Sequence, residues 1–227
     1  MSKSLGNFFT IRDILEKYDP EVVRFFILSA HYRSPIDFSD QNLEDAKSGL
    51  SRFYEVLKSA DEILSRYPVP SKAPCPTIKD EEREVYDRIE LLEEKFAEAM
   101  DDDFNTALAL GHLFDAVRGL NRLIGEQRFD DCPLSLAVLS DGARKLRSLG
   151  AVLGFFGSDP VAWLEKQKSA GLEGGDLTSE ASEALIAELK QARADKDFAR
   201  SDESRDELEA KGVILLDSRE GTTWKLK

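Results

Sequence analysis

The sequence predicts a mainly α-helical protein that ends in a small mixed α/β unit of ααββ order. Three observations carry this. Apolar residues recur every three or four positions from Ile11 to Phe156, the period of a helix with one buried face. Helix-start chemistry stands in front of several of these runs. Beyond a glycine-rich joint at Ser169–Ser179 the pattern shifts, and the chain closes on two short β-rich runs.

Thr10 and Asp13 form the first start signal, with the spacing of a reciprocal cap, and Ile11, Ile14 and Leu15 follow on one short helix. Asp19-Pro20-Glu21 is the second: an acidic N-cap, proline in the first turn and an acid favoured by the helix dipole. Val22, Val23, Phe25, Phe26, Ile27 and Leu28 make that helix apolar on most sides, so Phe25 and Phe26 read as core. The run from His31 to Pro35 ends it. Ser39 then caps a long helix whose apolar face is Leu43, Ala46, Leu50, Phe53, Leu57 and Leu64.

Tyr67 to Cys75-Pro76 holds four prolines in ten residues and reads as a stiff linker. After it, Val85, Ile89, Leu92, Phe96 and Met100 predict one amphipathic helix. Leu108, Gly111, Phe114, Val117, Leu120 and Ile124 predict a second, and Leu134 to Phe156 a third; together they predict an antiparallel bundle. Asp101-Asp102-Asp103, between the first two, reads as an N-cap with charge favourable to the helix dipole rather than as a cation site. In the tail, Leu185, Ile186, Leu189 and Ala192 predict one helix and Asp197–Lys211 another that stops at Gly212. Val213–Asp217 and Thr222–Leu226 then form a hairpin across Ser218–Gly221.

Composition narrows the function classes. The 227 residues are 41% hydrophobic and 33% charged, with net charge -13, the balance of an acidic globular protein. No apolar run approaches the roughly 18 residues that cross a bilayer, and the first residues lack the apolar centre of a signal peptide. The expectation is a monomer in the cytoplasm with no membrane partner. Cys75 and Cys132 stand far apart, without C-x-x-C spacing or an adjacent histidine, so the expectation is two free thiols and no metal site. His31 and His112, the only histidines, fall in separate predicted helices and read as packed or solvated side chains. The negative charge argues against unspecific nucleic-acid binding, although a local basic face on an acidic body can still hold RNA.

Two stretches carry chemistry. At the start, Ser2-Lys3-Ser4 joins one ammonium to two small hydroxyls, ahead of Leu5-Gly6-Asn7. In the tail, Arg193, Lys196, Phe198, Arg200 and Arg205 gather near one predicted helix start. Thr178–Lys227 nevertheless holds twelve acids against nine bases, so a solvated charged helix is the plain reading for most of these.

Met1-Ser2-Lys3-Ser4 resembles the K-M-S-K-S signature of class I aminoacyl-tRNA synthetases without its first lysine. The likeness narrows to the cysteinyl-tRNA synthetases through Leu5-Gly6-Asn7-Phe8, Asp19–Phe26, Ala30–Ser34, Met100–Thr106 and Gly221–Trp224, in order along essentially the whole chain. The resemblance implies a C-terminal portion of such an enzyme, cut inside the signature loop. It also implies a helical bundle of the class I synthetase anticodon-binding type. The implied parts are a signature loop and stem-contact region at 1–70, a DALR-type bundle at 71–168 and a small α/β anticodon-binding domain at 178–227.

The implied chemistry is ATP-dependent, with magnesium, joining cysteine to its tRNA through a cysteinyl-adenylate. Lys3 would be the catalytic ammonium at the phosphates, with Ser2 and Ser4 beside it as ATP contacts. Charge crowding on phosphate oxygens in the transition state is what such a loop stabilises. Arg193, Phe198 and Asp202, with Asp217 and Trp224, would contact the anticodon of cysteine tRNA. An aromatic face for a base to stack on, and arginine and carboxylate groups for base edges, suit single-stranded RNA. Phe198 stands where a tryptophan can occur, and Trp224 could equally be hairpin core. Zinc is expected only in the absent catalytic domain, together with the cysteine and ATP sites, so this portion alone is expected to bind no cofactor and to be inactive. Two rivals remain: the related cysteine:aminosugar ligase of mycothiol synthesis, against which the tail speaks, and a non-catalytic helical protein-interaction module.

Overall fold

The computed structural model describes residues 10–69, 79–127, 129–130, 132–173, 213–218 and 221–226. Among the described residues eight helices come first: α1 (Ile11–Lys17), α2 (Pro20–Leu28), α3 (Asp40–Arg66), α4 (Asp80–Glu90), α5 (Leu92–Asp101), α6 (Thr106–Glu126), α7 (Pro133–Val152) and α8 (Pro160–Glu173). The strands β1 (Val213–Ser218) and β2 (Gly221–Leu226) follow. The chain divides into two compact units, Met1–Val161 and Ala162–Lys227.

The first three helices start where their caps predict. The Thr10 side chain accepts from the Asp13 N–H at 3.2 Å while Asp13 accepts from the Thr10 N–H at 2.8 Å. Asp19 accepts from the Glu21 N–H at 2.9 Å, with Pro20 in the first turn. Ser39 accepts from the Asn42 N–H at 3.2 Å. Each cap satisfies one of the donors that a helix start leaves without an intrahelical partner.

In the first unit α6 is the central element, packed against α3, α4, α5 and α7, and α2 lies on α3. The core follows the predicted stripes in part: Leu108, expected on the buried face of α6, is 45% exposed, and Ile11 and Leu15 of α1 are exposed too. Leu43, Leu50, Phe53 and Leu57 of α3 meet an interior that includes Leu113 and Leu120 of α6 and Leu139 and Leu146 of α7, all fully buried. Each such side chain contributes about 1.5–3 kcal/mol through removal of apolar surface from water. Phe25 is buried too, with its ring 6.1 Å from Phe53 and 5.5 Å from Phe155.

Four details differ from the sequence reading. The single helix expected over Val85–Met100 is two, α4 and α5, meeting at Leu91. The cause is Lys145 of α7, whose buried ammonium donates to the carbonyls of Ile89 at 2.8 Å and Glu90 at 3.1 Å. A cation bonded into the helix ladder bends it. The helix expected to reach Phe156 stops at Val152. Gly154 turns left-handed at φ 77° just beyond, and the Phe155 N–H returns to the Gly150 carbonyl at 2.8 Å. Asn105, not the aspartate cluster, caps α6, accepting from the Leu108 N–H at 3.1 Å; Asp101 to Asp103 close the preceding segment instead. Finally, Cys132 is disulfide-bonded, correcting the expectation of a free thiol there. It is fully buried at the start of α7, 3.6 Å from the Tyr86 hydroxyl. Cys75 lies outside the described residues.

The predicted hairpin is present as antiparallel strands, each reaching one residue further toward the other than expected. Ser218 pairs with Gly221 and Val213 with Leu226, which leaves Arg219-Glu220 between the strands. The helices predicted at 185–192 and 197–211 fall outside the described residues. Among the described residues no helix is long and apolar enough to cross a membrane.

Candidate nucleic-acid interface and its scaffold

The sequence-predicted site residues fall at the two ends of the chain. Ser2, Lys3 and Ser4 lie outside the described residues, as do Arg193, Phe198 and Asp202. Asp217 and Trp224 have backbone positions: Asp217 stands opposite Thr222 on the hairpin and Trp224 opposite Leu215. The two are therefore two registers apart on neighbouring strands.

Between those ends lies a scaffold that sequence reasoning missed. Two clasps tie the segment before residue 40 to the bundle. In the first, Glu21 at the start of α2 accepts from the Phe156 N–H at 2.5 Å and from the Tyr54 hydroxyl at 2.8 Å. One turn later, Arg24 donates to the Gly154 carbonyl at 2.6 Å. Two side chains of one helix thus hold both ends of the 154–156 turn. Glycine is favoured at 154 because its φ of 77° disfavours any L side chain, and a Cβ there would also push on the Arg24 guanidinium, 2.7 Å away at the end of a flexible side chain. Burial pushes the Glu21 carboxyl above its ordinary range despite the two donors, and burial with the adjoining Glu21 carboxylate pushes the Tyr54 hydroxyl up as well.

Phe156 itself adopts φ 62° and packs its ring 5.3 Å from Phe53 and 5.7 Å from Tyr54. For a bulky residue that backbone is strained, and the aromatic cluster over-determines it. Its ring sits directly against the Cα of Gly150, where a Cβ would collide with it.

The second clasp joins the loop after α2 to the turn before α6. Asp103, at φ 56°, accepts from the Tyr32 hydroxyl at 2.7 Å and from Arg33 at 2.8–3.0 Å. His31 stacks on Tyr32 with ring centres 5.0 Å apart and stands 4.0 Å from the Asp103 carboxylate. These groups are largely exposed, so the ion pair is worth only a few tenths of a kcal/mol up to about 1. Its weight is geometric: it fixes where the 31–34 loop sits on the bundle.

No three His, Cys, Asp or Glu side chains are grouped to hold a metal ion among the described residues.

The described fold is an α-helical bundle bearing an anchored N-terminal segment, and family comparison resolves both parts. Residues 95–157 match the DALR domain, and residues 1–48 match the tRNA synthetases class I (C) catalytic domain. Both clasps therefore run between a segment of class I synthetase catalytic type and the bundle that contains the DALR match. The chain is 55% identical to Cysteine--tRNA ligase of Syntrophotalea carbinolica over 230 residues, all of this chain and 45% of that protein. It is 52% identical to Cysteine--tRNA ligase of Geobacter metallireducens over 227 residues, again all of the chain and 45% of the relative. The chain is thus homologous along its whole length to part of the cysteine–tRNA ligases, and it spans about 45% of the length of the curated relatives it matches.

Proposed function

We propose that the chain is the tRNA-binding portion of an enzyme that joins cysteine to cysteine tRNA with ATP, acting as a cytoplasmic monomer. The observation that carries this is homology to Cysteine--tRNA ligase over all of the chain, at up to 55% identity. In this reading 1–70 supplies the signature loop and the stem-contact region, 71–168 the helical bundle and 178–227 the anticodon-binding domain. Lys3, flanked by Ser2 and Ser4, meets ATP phosphates during cysteinyl-adenylate formation. A fixed ammonium there offsets charge that grows in the transition state. Arg193, Phe198, Asp202, Asp217 and Trp224 face the anticodon, Phe198 by stacking and Asp202 by accepting base-edge donors.

The clasps suit this division of labour. Glu21, Arg24 and Arg33 each bond across from the catalytic-type segment to the bundle that contains the DALR match. The decisive experiment compares Lys3→Ala with the parent in the full-length protein. Cysteine-dependent ATP–pyrophosphate exchange should fall on the order of a hundredfold, while tRNA affinity stays within about twofold. Equal losses in both would overturn the phosphate role, and absence of exchange in the parent would overturn the assignment.

A further inference from the structure

Ala30–Ser34 and Met100–Thr106 lie about 70 positions apart and carry no assigned chemistry, yet they meet in space. Arg33 grips Asp103 as a two-pronged fork. Its Nε lies 2.8 Å from one carboxylate oxygen, and a terminal nitrogen donates to the other at 3.0 Å. The Tyr32 hydroxyl donates to the same carboxylate at 2.7 Å and accepts from Arg33 Nε at 2.9 Å. The loop that carries these groups is itself tied: the Arg33 N–H donates to His31 Nδ1 at 3.3 Å and the Ser34 N–H to the His31 carbonyl at 2.8 Å.

On the bundle side the backbone is strained. Asp103 and Phe104 stand in succession at φ 56° and 54°. Aspartate tolerates that conformation, whereas a bulky phenylalanine does not. Phe156 adopts it too, but there ring packing on Phe53 and Tyr54 offsets the strain. Phe104 is 68% exposed, so burial offsets little. Backbone bonds from Phe104 to the Met100 carbonyl at 3.1 Å and from Asn105 to the Ala99 carbonyl at 3.0 Å lock the turn. Strain held in this way, away from the core, points to a role for what the turn aims. It aims the Asp103 carboxylate at the fork.

We infer that Asp103, Tyr32 and Arg33 are positioning residues for the transfer of cysteine to tRNA. The inference rests on the functional reading above and deepens it. Tyr32 and Arg33 belong to the segment of catalytic type, and Asp103 to the DALR match. An exposed ion pair adds little stability, but a bidentate fork fixes the mutual orientation of the parts that it joins. In the transfer step a ribose hydroxyl oxygen at the tRNA 3′ end bonds to the carbonyl carbon of cysteinyl-adenylate. The bond from that carbon to the phosphate oxygen breaks, AMP leaves with the bonding pair, and the hydroxyl proton is released to water. The attacking hydroxyl arrives on a large RNA held at its other end, so its placement depends on how the two parts of the protein are set. Adenylate formation joins two small molecules within the catalytic part and lacks that dependence.

The test uses the full-length protein with Arg33→Ala, which removes the fork, and Asp103→Asn, which keeps the left-handed turn but loses the charge. Single-turnover transfer from preformed cysteinyl-adenylate to cysteine tRNA should fall on the order of tenfold in each. Cysteine-dependent ATP–pyrophosphate exchange and tRNA affinity should stay within about twofold, and the melting temperature within about 3 °C. The double variant should lose no more than Arg33→Ala alone, because both substitutions break one contact. Parental transfer rates in both variants overturn the inference and leave the functional reading standing. A loss shared equally with exchange or with melting temperature overturns it as well, by showing a purely structural clasp. So does an equal loss of tRNA affinity, which would make these residues an RNA contact. If the parent neither exchanges pyrophosphate nor charges tRNA, the functional reading falls and this inference with it.

Discussion

The carboxylate of Glu21 accepts the hydroxyl hydrogen of Tyr54 at 2.8 Å, in a half-buried position where its second oxygen also takes the Phe156 N–H. Burial outweighs both donors, and the carboxyl is raised above its ordinary value of 4.5. The folded state therefore binds this proton more readily than the unfolded chain does. Stability from this group is fully present below about pH 4.5 and is lost as pH rises through the raised folded value.

Glu21→Gln removes that dependence. As pH falls from 7 toward about 4.5, the melting temperature of the parent should gain on that of the variant. Melting curves across the range check this. A constant difference, or one that widens in the opposite sense, would show that Glu21 is not raised in the fold.

Lys145 should be costly to remove. Its ammonium serves the Ile89 and Glu90 carbonyls and also lies 3.1 Å from Asp141. Burial raises the Asp141 carboxyl, but hydrogen bonds from Arg144 and Lys145 prevail and hold it below its usual range. Lys145→Met keeps most of the packed stem and loses the donors, so it should cost about 1–3 kcal/mol of stability. Chemical denaturation measures it. An unchanged midpoint would mean that water serves those carbonyls equally well.

Gly150→Ala places a methyl group where the Phe156 ring lies. Overpacking of this kind costs about 1–3 kcal/mol. In a Phe156→Ala background the same substitution should cost far less, because the ring it strikes is gone. A double-mutant cycle by thermal melting reads the coupling. Additive effects would show that the ring moves aside freely.

In the tail, Phe198→Ala and Asp202→Ala should differ in kind. Loss of the ring should weaken tRNA binding by about 1–3 kcal/mol with little regard to anticodon sequence. Loss of the carboxylate should erode preference for guanine at the first anticodon position. Arg193→Ala should lower affinity and salt dependence together if it also meets phosphate. Binding of anticodon variants to each folded protein tests all three. Uniform parental binding would place the anticodon site elsewhere.

Local chemistry was legible at the first three helix starts, where the partners are near in sequence, though the cap of α6 fell to Asn105 rather than to the aspartates before it. Thr10 with Asp13, Asp19 with Pro20, and Ser39 each start a helix through groups two or three residues away. The apolar stripe of α3 declared its buried face by period alone, because a helix fixes which residues share a side. The β-rich runs around Arg219-Glu220 announced a hairpin for the same reason.

What the tertiary structure alone decided involves partners far apart in the chain. Lys145 breaks the helix before Leu91 through carbonyls 55 and 56 residues away, and Asp103 is drawn from a cap to Tyr32 and Arg33 across 71 and 70. Glu21 and Arg24 read as helix-start charge and surface, and only the packed bundle brings the 154–156 turn against them. Propensity, capping and period act over a few residues of chain. Hydrogen bonds and ion pairs act through space, and no local pattern encodes which distant group will arrive.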